Sequence, residues 1–302
     1  MDRLDVRRCS RLLRGAAIVG STSLGAPACA AAQVPDSLWI SMHGDVRPDG
    51  ETYVLLSGVL GGLAGYRGIE RRLLLLGHRV VIIDPYLMSI DSADVSFDAL
   101  ARRVNAQLDL RGVRAARVVG HAHGGGVALR LASNWPARVS ELFLLNVGAL
   151  AGNHSPVFSS SMRLATLVAH VPGGTSFLRR RIVAGIRENT GKSEWLDDAA
   201  AHAYTDTPLE NMGAVVGLAT RLGQSEEPER LALVIARVKV PVTMLIGALK
   251  CPASPGAEEI AALESLGALV RVVKIEGTCH FPHEEAPDVV VNYLTHRPAG
   301  AR

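Results

Sequence analysis

Nine consecutive residues constrain this chain more than any others: Val118-Val-Gly-His-Ala-His-Gly-Gly-Gly126. A β-branched apolar run meets a cluster of glycines, and Val127–Asn134 continues with helical spacing until Pro136 stops it. The pattern reads as a buried strand, a tight turn and a helix that doubles back on the strand. A turn this sharp needs small residues on both sides, which Gly120, Gly124 and Gly125 supply. It lifts residue 122 to the top of a sheet. It also points the next backbone N–H, that of His123, out of a helix N-terminus, where negative charge is stabilised.

The same reading extends in both directions. Thr52–Leu56, Val80–Ile83, Ala116–Val119 and Glu141–Asn146 read as strands, with helical stretches at Tyr66–Leu76 and Phe97–Leu110. After Gly148 the alternation breaks. Residues 149–230 carry amphipathic helical pieces such as Ser176–Arg187 and Leu196–Tyr204, and no strand. Alternation then resumes with strand Val242–Ile246, helix Ala257–Leu266, strand Leu269–Ile275 and helix Pro287–Leu294. Strands alternating with helices predict an α/β fold, a mostly parallel sheet covered on both faces. The expected organisation is a core from 33–148 and 231–302, with a helical cap inserted at 149–230. Sites in such sheets lie beyond the carboxyl ends of strands.

With those loops in view, the chain resembles the α/β-hydrolase superfamily, of the esterase-like type with a cap. Val118–Gly126 resembles its nucleophile elbow, and Gly277-Thr-Cys-His-Phe-Pro-His-Glu-Glu-Ala-Pro287 resembles its histidine loop. The resemblance runs from about Thr52 to Leu294. It implies that His280 stands at the general base and that Val59 and His123 supply the oxyanion-binding N–H groups. It places Ala122 where the family carries its serine, and Lys250 where it carries its acid. The alternative acid position, after the preceding strand, offers Asn146 and Gly148 and no carboxylate. Ser57 is a further departure, since the family usually has His-Gly there. Removing the serine of a working triad costs around 10⁶-fold in turnover. Ordinary Ser–His–Asp hydrolysis is therefore not expected.

In this fold the acid loop and the histidine loop meet. Cys251 adjoins the first and Cys279 adjoins His280. A disulfide between them would pin the histidine loop where an Asp–His hydrogen bond normally holds it; two free thiols are the alternative. His121, His123 and His280 could converge on a metal, but no carboxylate completes a site, so no cofactor is expected. Asp84 reads as a strand-end cap, Glu284 and Glu285 as supports of the histidine loop, and Arg179–Arg181 as a solvated helix face. The glycines of 58–65 lack the Lys-Ser/Thr ending of a phosphate loop.

Charge and composition narrow the partners. The formal net charge of +3 is matched by an excess of arginine within residues 1–32, so the rest is close to neutral. No basic face for nucleic acid is implied, and no nucleic-acid partner is expected. Arg7-Arg8, a mildly apolar run from Gly15 to Leu24 and Ala28-Cys29-Ala30 read as a twin-arginine-like export signal, with a disordered extension as the alternative. No apolar run approaches the roughly 18 residues of a membrane span. The expected partner is a small or medium, neutral, ester-like molecule. Three uses of the pocket stay open: hydrolysis by a serine-free route, ligand binding without turnover, and cofactor-free lyase, isomerase or cyclase chemistry with His280 as base.

Overall fold

The computed structural model describes residues 35–45, 47–48, 50–59, 61–148, 150 and 162–296. The candidate export signal, residues 1–32, and the start of the insertion lie outside the described residues. Seven strands form one sheet: β1 (Ile40–His43), β2 (Thr52–Leu56), β3 (Arg79–Ile83), β4 (Ala116–His121), β5 (Val139–Leu145), β6 (Val242–Gly247) and β7 (Val270–Ile275). Their spatial order is β1-β3-β2-β4-β5-β6-β7. β1 runs antiparallel to β3, and every other pairing is parallel.

The helices of the core are α1 (Arg67–Leu75), α2 (Phe97–Leu110) and α3 (His123–Asn134). Between β5 and β6 the chain inserts α4 (Met162–Ala169), α5 (Gly174–Glu188), α6 (Asp198–Glu210) and α7 (Met212–Gln224). It then returns through α8 (Leu231–Arg237), α9 (Ala257–Glu264), the short α10 (Pro282–Glu285) and α11 (Pro287–Thr295).

Period-two alternation of the strands sorts the core into two layers. Val54, Leu56, Val118, Leu142, Leu144 and Met244 point one way, onto Leu100 and Val104 of α2, Val127 and Leu131 of α3, and Val234 and Ile235 of α8. Tyr53, Leu55, Val119, Phe143 and Leu245 point the other way, onto Ile69 and Leu73 of α1 and Val290 and Leu294 of α11. All of β4 is buried, with Val118 on one face and Val119 on the other, and its buried Arg117 is paired with Glu51 and Glu141.

Local chemistry sets the helix ends. Ser96 caps α2, its Oγ accepting from the Ala99 N–H at 3.2 Å. Asp197 caps α6 in the same way, from Ala200 at 2.7 Å. Gly77, with φ of 85°, lets the chain turn out of α1 toward β3. The edge strand β1 gave no signal in the sequence because only Ile40 of its four residues is buried. Helix α6 outruns the expected Tyr204 by six residues and contains Pro208. Its cap, Asp197, also places its start after Leu196.

The close seating of α3 on β4 leaves no space for side chains at the turn. A methyl at Gly120 would lie 2.6 Å from the Gly124 carbonyl oxygen and the Gly125 Cα. One at Gly126 would lie 2.6 Å from the Phe97 ring. Gly185, within α5, meets nothing within 4 Å of an added methyl. Gly120→Ala is therefore expected to destabilise by about 1–3 kcal/mol or more, whereas Gly185→Ala is expected to stabilise by about 0.5–1 kcal/mol. Urea denaturation of the two variants beside the parent checks both signs.

Candidate active site

Ala122 sits between the last residue of β4 and the first of α3, with φ of 49° and ψ of −124°. An L-residue reaches this conformation only at a cost of order 1–3 kcal/mol. The surroundings enforce it. The Ala122 N–H donates to the Leu145 carbonyl at 3.1 Å, and its own carbonyl accepts from the Gly125 N–H at 3.0 Å. His123 opens α3, so its N–H is among the four first-turn donors left without an intrahelical partner. The loop after β2 borders the same place: a methyl on Gly58 would lie 3.2 Å from the Ala122 Cβ and 3.7 Å from the His123 nitrogen. Val59, next along that loop, is partly buried against the core. Ser57 is buried and its Oγ has no hydrogen-bond partner.

His280 follows β7 on the loop leading to α10. Four contacts fix it. Its N–H donates to the Asn189 carbonyl at 3.0 Å, and its carbonyl accepts from His121 Nε2 at 2.9 Å. Its ring nitrogen Nδ1 lies 2.8 Å from Asn146 Nδ2 and 3.1 Å from the Ala253 carbonyl. The His280 ring stands 4.7 Å from that of His121, the residue immediately before Ala122. The histidine and the elbow are thereby brought side by side. Lys250, in contrast, is exposed and has no described hydrogen bond to His280. Asn146, directly after β5, occupies the place beside Nδ1, because its backbone, at φ of 44°, turns the side chain toward the loop after β6.

The loops around His280 are tied from three sides. Cys251 and Cys279 form a disulfide that joins the loop after β6 to the loop after β7. Glu285 accepts from the Gly191 and Lys192 N–H groups at 2.6 and 3.0 Å, and from the Cys279 and Phe281 N–H groups at 3.0 and 3.2 Å. Asn189, just past α5, holds the Ala253 N–H with its Oδ1 at 2.8 Å and the His280 N–H with its carbonyl. The helical insertion is thus stapled to both loops.

Aromatic rings fill the space between. Trp195 and Tyr204 of the insertion lie 5.5 and 6.1 Å from Phe281, and His283 lies 4.4 Å from His121. Tyr204 donates to Glu284 at 3.1 Å. Burial raises the Glu284 carboxyl to about 7, partly offset by that hydrogen bond and by Arg67. Asp84 accepts from the Tyr86 and Leu87 N–H groups at 2.9 Å each, and burial raises it to about 6. Arg179 pairs with Asp206 and donates to Thr205 at 3.0 Å, so this residue docks α5 on α6 and is more than a solvated cation. Among the described residues, no group of three or more His, Cys, Asp or Glu is placed to hold a metal ion.

The histidines are held neutral. Burial lowers His123 and His280 to about 4 and His283 to about 3. For His280 the Ala253 carbonyl partly opposes that shift and His123 adds to it. Burial also lowers His121 well below its ordinary value, with His283 and His280 adding to the effect.

A strained apex between strand and helix, a glycine-rich loop beside it and a histidine on the last loop form one arrangement. The family model described as "alpha/beta hydrolase fold" matches residues 53–287. This chain belongs to the α/β-hydrolase family. It is 31% identical over 219 residues to a protein of Variovorax paradoxus (strain S110) whose name proposes it as a carbamate hydrolase, RutD; the match covers 68% of this chain and 80% of that one. A shorter match, 27% identical over 120 residues, is to the 2-hydroxy-6-oxo-6-phenylhexa-2,4-dienoate hydrolase of Comamonas testosteroni, covering 37% of this chain and 42% of that enzyme. Among solved structures, the enol-lactonase of Burkholderia xenovorans LB400 superposes with a TM-score of 0.64 at 17% identity, covering 85% of this chain and 94% of that one. That likeness is one of fold.

For this α/β-hydrolase, several site residues escape sequence reasoning. Asn189 carries no motif, and its hold on His280 comes from 91 residues away in the chain; His121 stood in the elbow motif, but its bond to the His280 carbonyl, 159 residues away, was not legible there. Asn146 stood in view as a position without a carboxylate, which hid its contact with His280.

The buried histidines set a pH dependence. Their folded values lie below the ordinary 6.5, so the unfolded chain binds protons that the fold refuses. Their contribution to stability is complete above pH 6.5 and is lost as the pH falls through about 4. Glu284 acts oppositely: its value is raised from 4.5 to about 7, so its contribution is complete below 4.5 and is lost as the pH rises through about 7. Asp84, raised to about 6, and Glu227, also raised, act in the same sense as Glu284, and the four histidines outweigh these three carboxyls. The melting temperature is expected to fall between pH 7 and pH 5, and an unchanged value would contradict neutral burial.

Proposed function

We propose that this α/β-hydrolase holds a small or medium, neutral, ester-like molecule in a hydrolase-type pocket and does not cleave it by the Ser–His–Asp route. One observation carries the reading: the residue at the apex of the elbow is Ala122, which has no nucleophilic atom. The backbone donors survive that loss. In this reading the His123 and Val59 N–H groups meet a carbonyl oxygen of the bound molecule, a role supported by the start of α3 at His123 and by the nearness of the Gly58 loop to Ala122. The name of the Variovorax relative makes carbamates, as well as esters, the molecules to try first.

A second reading is favoured by the position of His280 beside the elbow. A cofactor-free lyase, isomerase or cyclase requires a base and oxygen-binding donors but no nucleophile. In either reading the helices α4–α7 act as a cap over the pocket. Residues 1–32 direct export, and the Cys251–Cys279 disulfide suits an oxidising compartment.

Calorimetric titration with short-chain p-nitrophenyl esters and alkyl carbamates, alongside product assays, tests the reading. Saturable binding with no product above buffer is expected. Turnover that disappears in His280→Ala would instead establish hydrolysis by a serine-free route with His280 as base.

A further inference from the structure

We propose that Asn146 fixes His280 as its Nε2–H tautomer, so that His280 offers a bound molecule a hydrogen-bond donor and is withdrawn as a base. The argument begins with two backbone groups whose roles are not interchangeable. The Gly247 N–H, 3.2 Å from Asn146 Oδ1, can only donate. The Ala253 carbonyl, 3.1 Å from Asn146 Nδ2, can only accept. Together they orient the amide. Reversing it would set a donor against the Gly247 N–H and an acceptor against the Ala253 oxygen.

The amide nitrogen has two hydrogens. One is directed to the Ala253 carbonyl. The second falls on His280 Nδ1, at 2.8 Å. Two nitrogens at that distance share a single proton between them, and Asn146 cannot give its own up. Nδ1 is therefore the acceptor, and a neutral imidazole that accepts at Nδ1 carries its proton on Nε2. The Ala253 carbonyl also lies 3.1 Å from Nδ1 and has a second lone pair to offer, but the closer amide nitrogen of Asn146, at 2.8 Å and carrying both its hydrogens, leaves no room for a hydrogen on Nδ1. A triad carboxylate does the reverse. It accepts from Nδ1–H and leaves Nε2 free to take a proton from a nucleophile.

The consequence for the pocket is chemical. His280 Nε2–H joins the His123 and Val59 N–H groups as a third donor, so the ligand it selects presents an acceptor oxygen, such as the carbonyl of an ester or carbamate. Protonation of Nδ1 would set its hydrogen against the Asn146 amide, so Asn146 resists formation of an imidazolium. Asn146 is a positioning residue in this account, acting through His280. Only the ligand half of the inference rests on the binding reading above; the tautomer stands on the hydrogen-bond geometry alone.

The test is a long-range ¹H–¹⁵N correlation spectrum of the full chain labelled with [¹⁵N]histidine at pH 7, with His280→Ala identifying the His280 signals. The expected result is a protonated-type Nε2 and an unprotonated-type Nδ1. In Asn146→Asp the two nitrogens are expected to exchange character, because a carboxylate accepts from Nδ1–H. A protonated Nδ1 in the parent chain overturns the proposal, and so does a His280 spectrum unchanged in Asn146→Asp. Should Asn146→Asp fail to fold, the parent spectrum decides alone. A confirmed tautomer with no ester or carbamate binding would remove the binding reading and leave the role of Asn146 intact.

Discussion

The contact between the glycines of β4 and α3 is the constraint on which the site depends. Gly120 touches the backbone of Gly124 and Gly125, and Gly126 touches Phe97. No side chain fits between them, so the helix begins directly at the end of the strand. The single residue between, Ala122, must take a positive φ. Everything around the apex follows from that geometry: the His123 N–H at the helix start, the Gly58–Val59 loop against the Ala122 methyl, and His121 within reach of His280. The scaffold is thus retained independently of the residue that sits on it. A strained backbone persists at position 122 although the side chain there performs no covalent chemistry.

The histidine loop shows how position can be kept without the usual carboxylate. Its backbone is held by Asn189 and His121, its acidic residue Glu285 gathers four N–H groups, and a disulfide joins it to the neighbouring loop. These ties fix where His280 lies. What they do not supply is a carboxylate for Nδ1, which faces the Asn146 amide and the Ala253 carbonyl instead. Location and basicity of the ring are therefore separable here: the first is secured many times over, and the second is opposed by burial and by the Asn146 amide.

The parallel sheet was legible because its strands are short apolar runs bounded by glycine, asparagine or proline. Phe97–Leu110 could be bounded from the sequence because Ser96 is a strong N-cap and the apolar spacing is regular. The edge strand was not legible, since Ile-Ser-Met-His buries a single residue. At the site, Ala122, His123 and His280 follow from motifs local in sequence. Asn146 does not. Its role depends on two backbone groups near residues 247 and 253, and no periodicity records which way an amide is turned. Expecting a carboxylate drew attention to Lys250, on the exposed part of the same loop. Glu285 carried a partial signal, as an acid within the histidine motif, but its reach to Gly191 and Lys192 became apparent only when the insertion was seen to fold back.

The central claim is that this site has lost the base function of its histidine as well as its nucleophile. Its most direct test is esterase activity toward short p-nitrophenyl esters in Ala122→Ser, in Ala122→Ser with Asn146→Asp, and in each of these with His280→Ala. The account predicts that serine alone restores almost nothing. It predicts that the double replacement exceeds the single one by about 10³–10⁴-fold, the cost of a wrongly protonated triad histidine, and that His280→Ala abolishes the gain. His280-dependent hydrolysis of full strength in Ala122→Ser alone would contradict it, and would mean that only the nucleophile is missing.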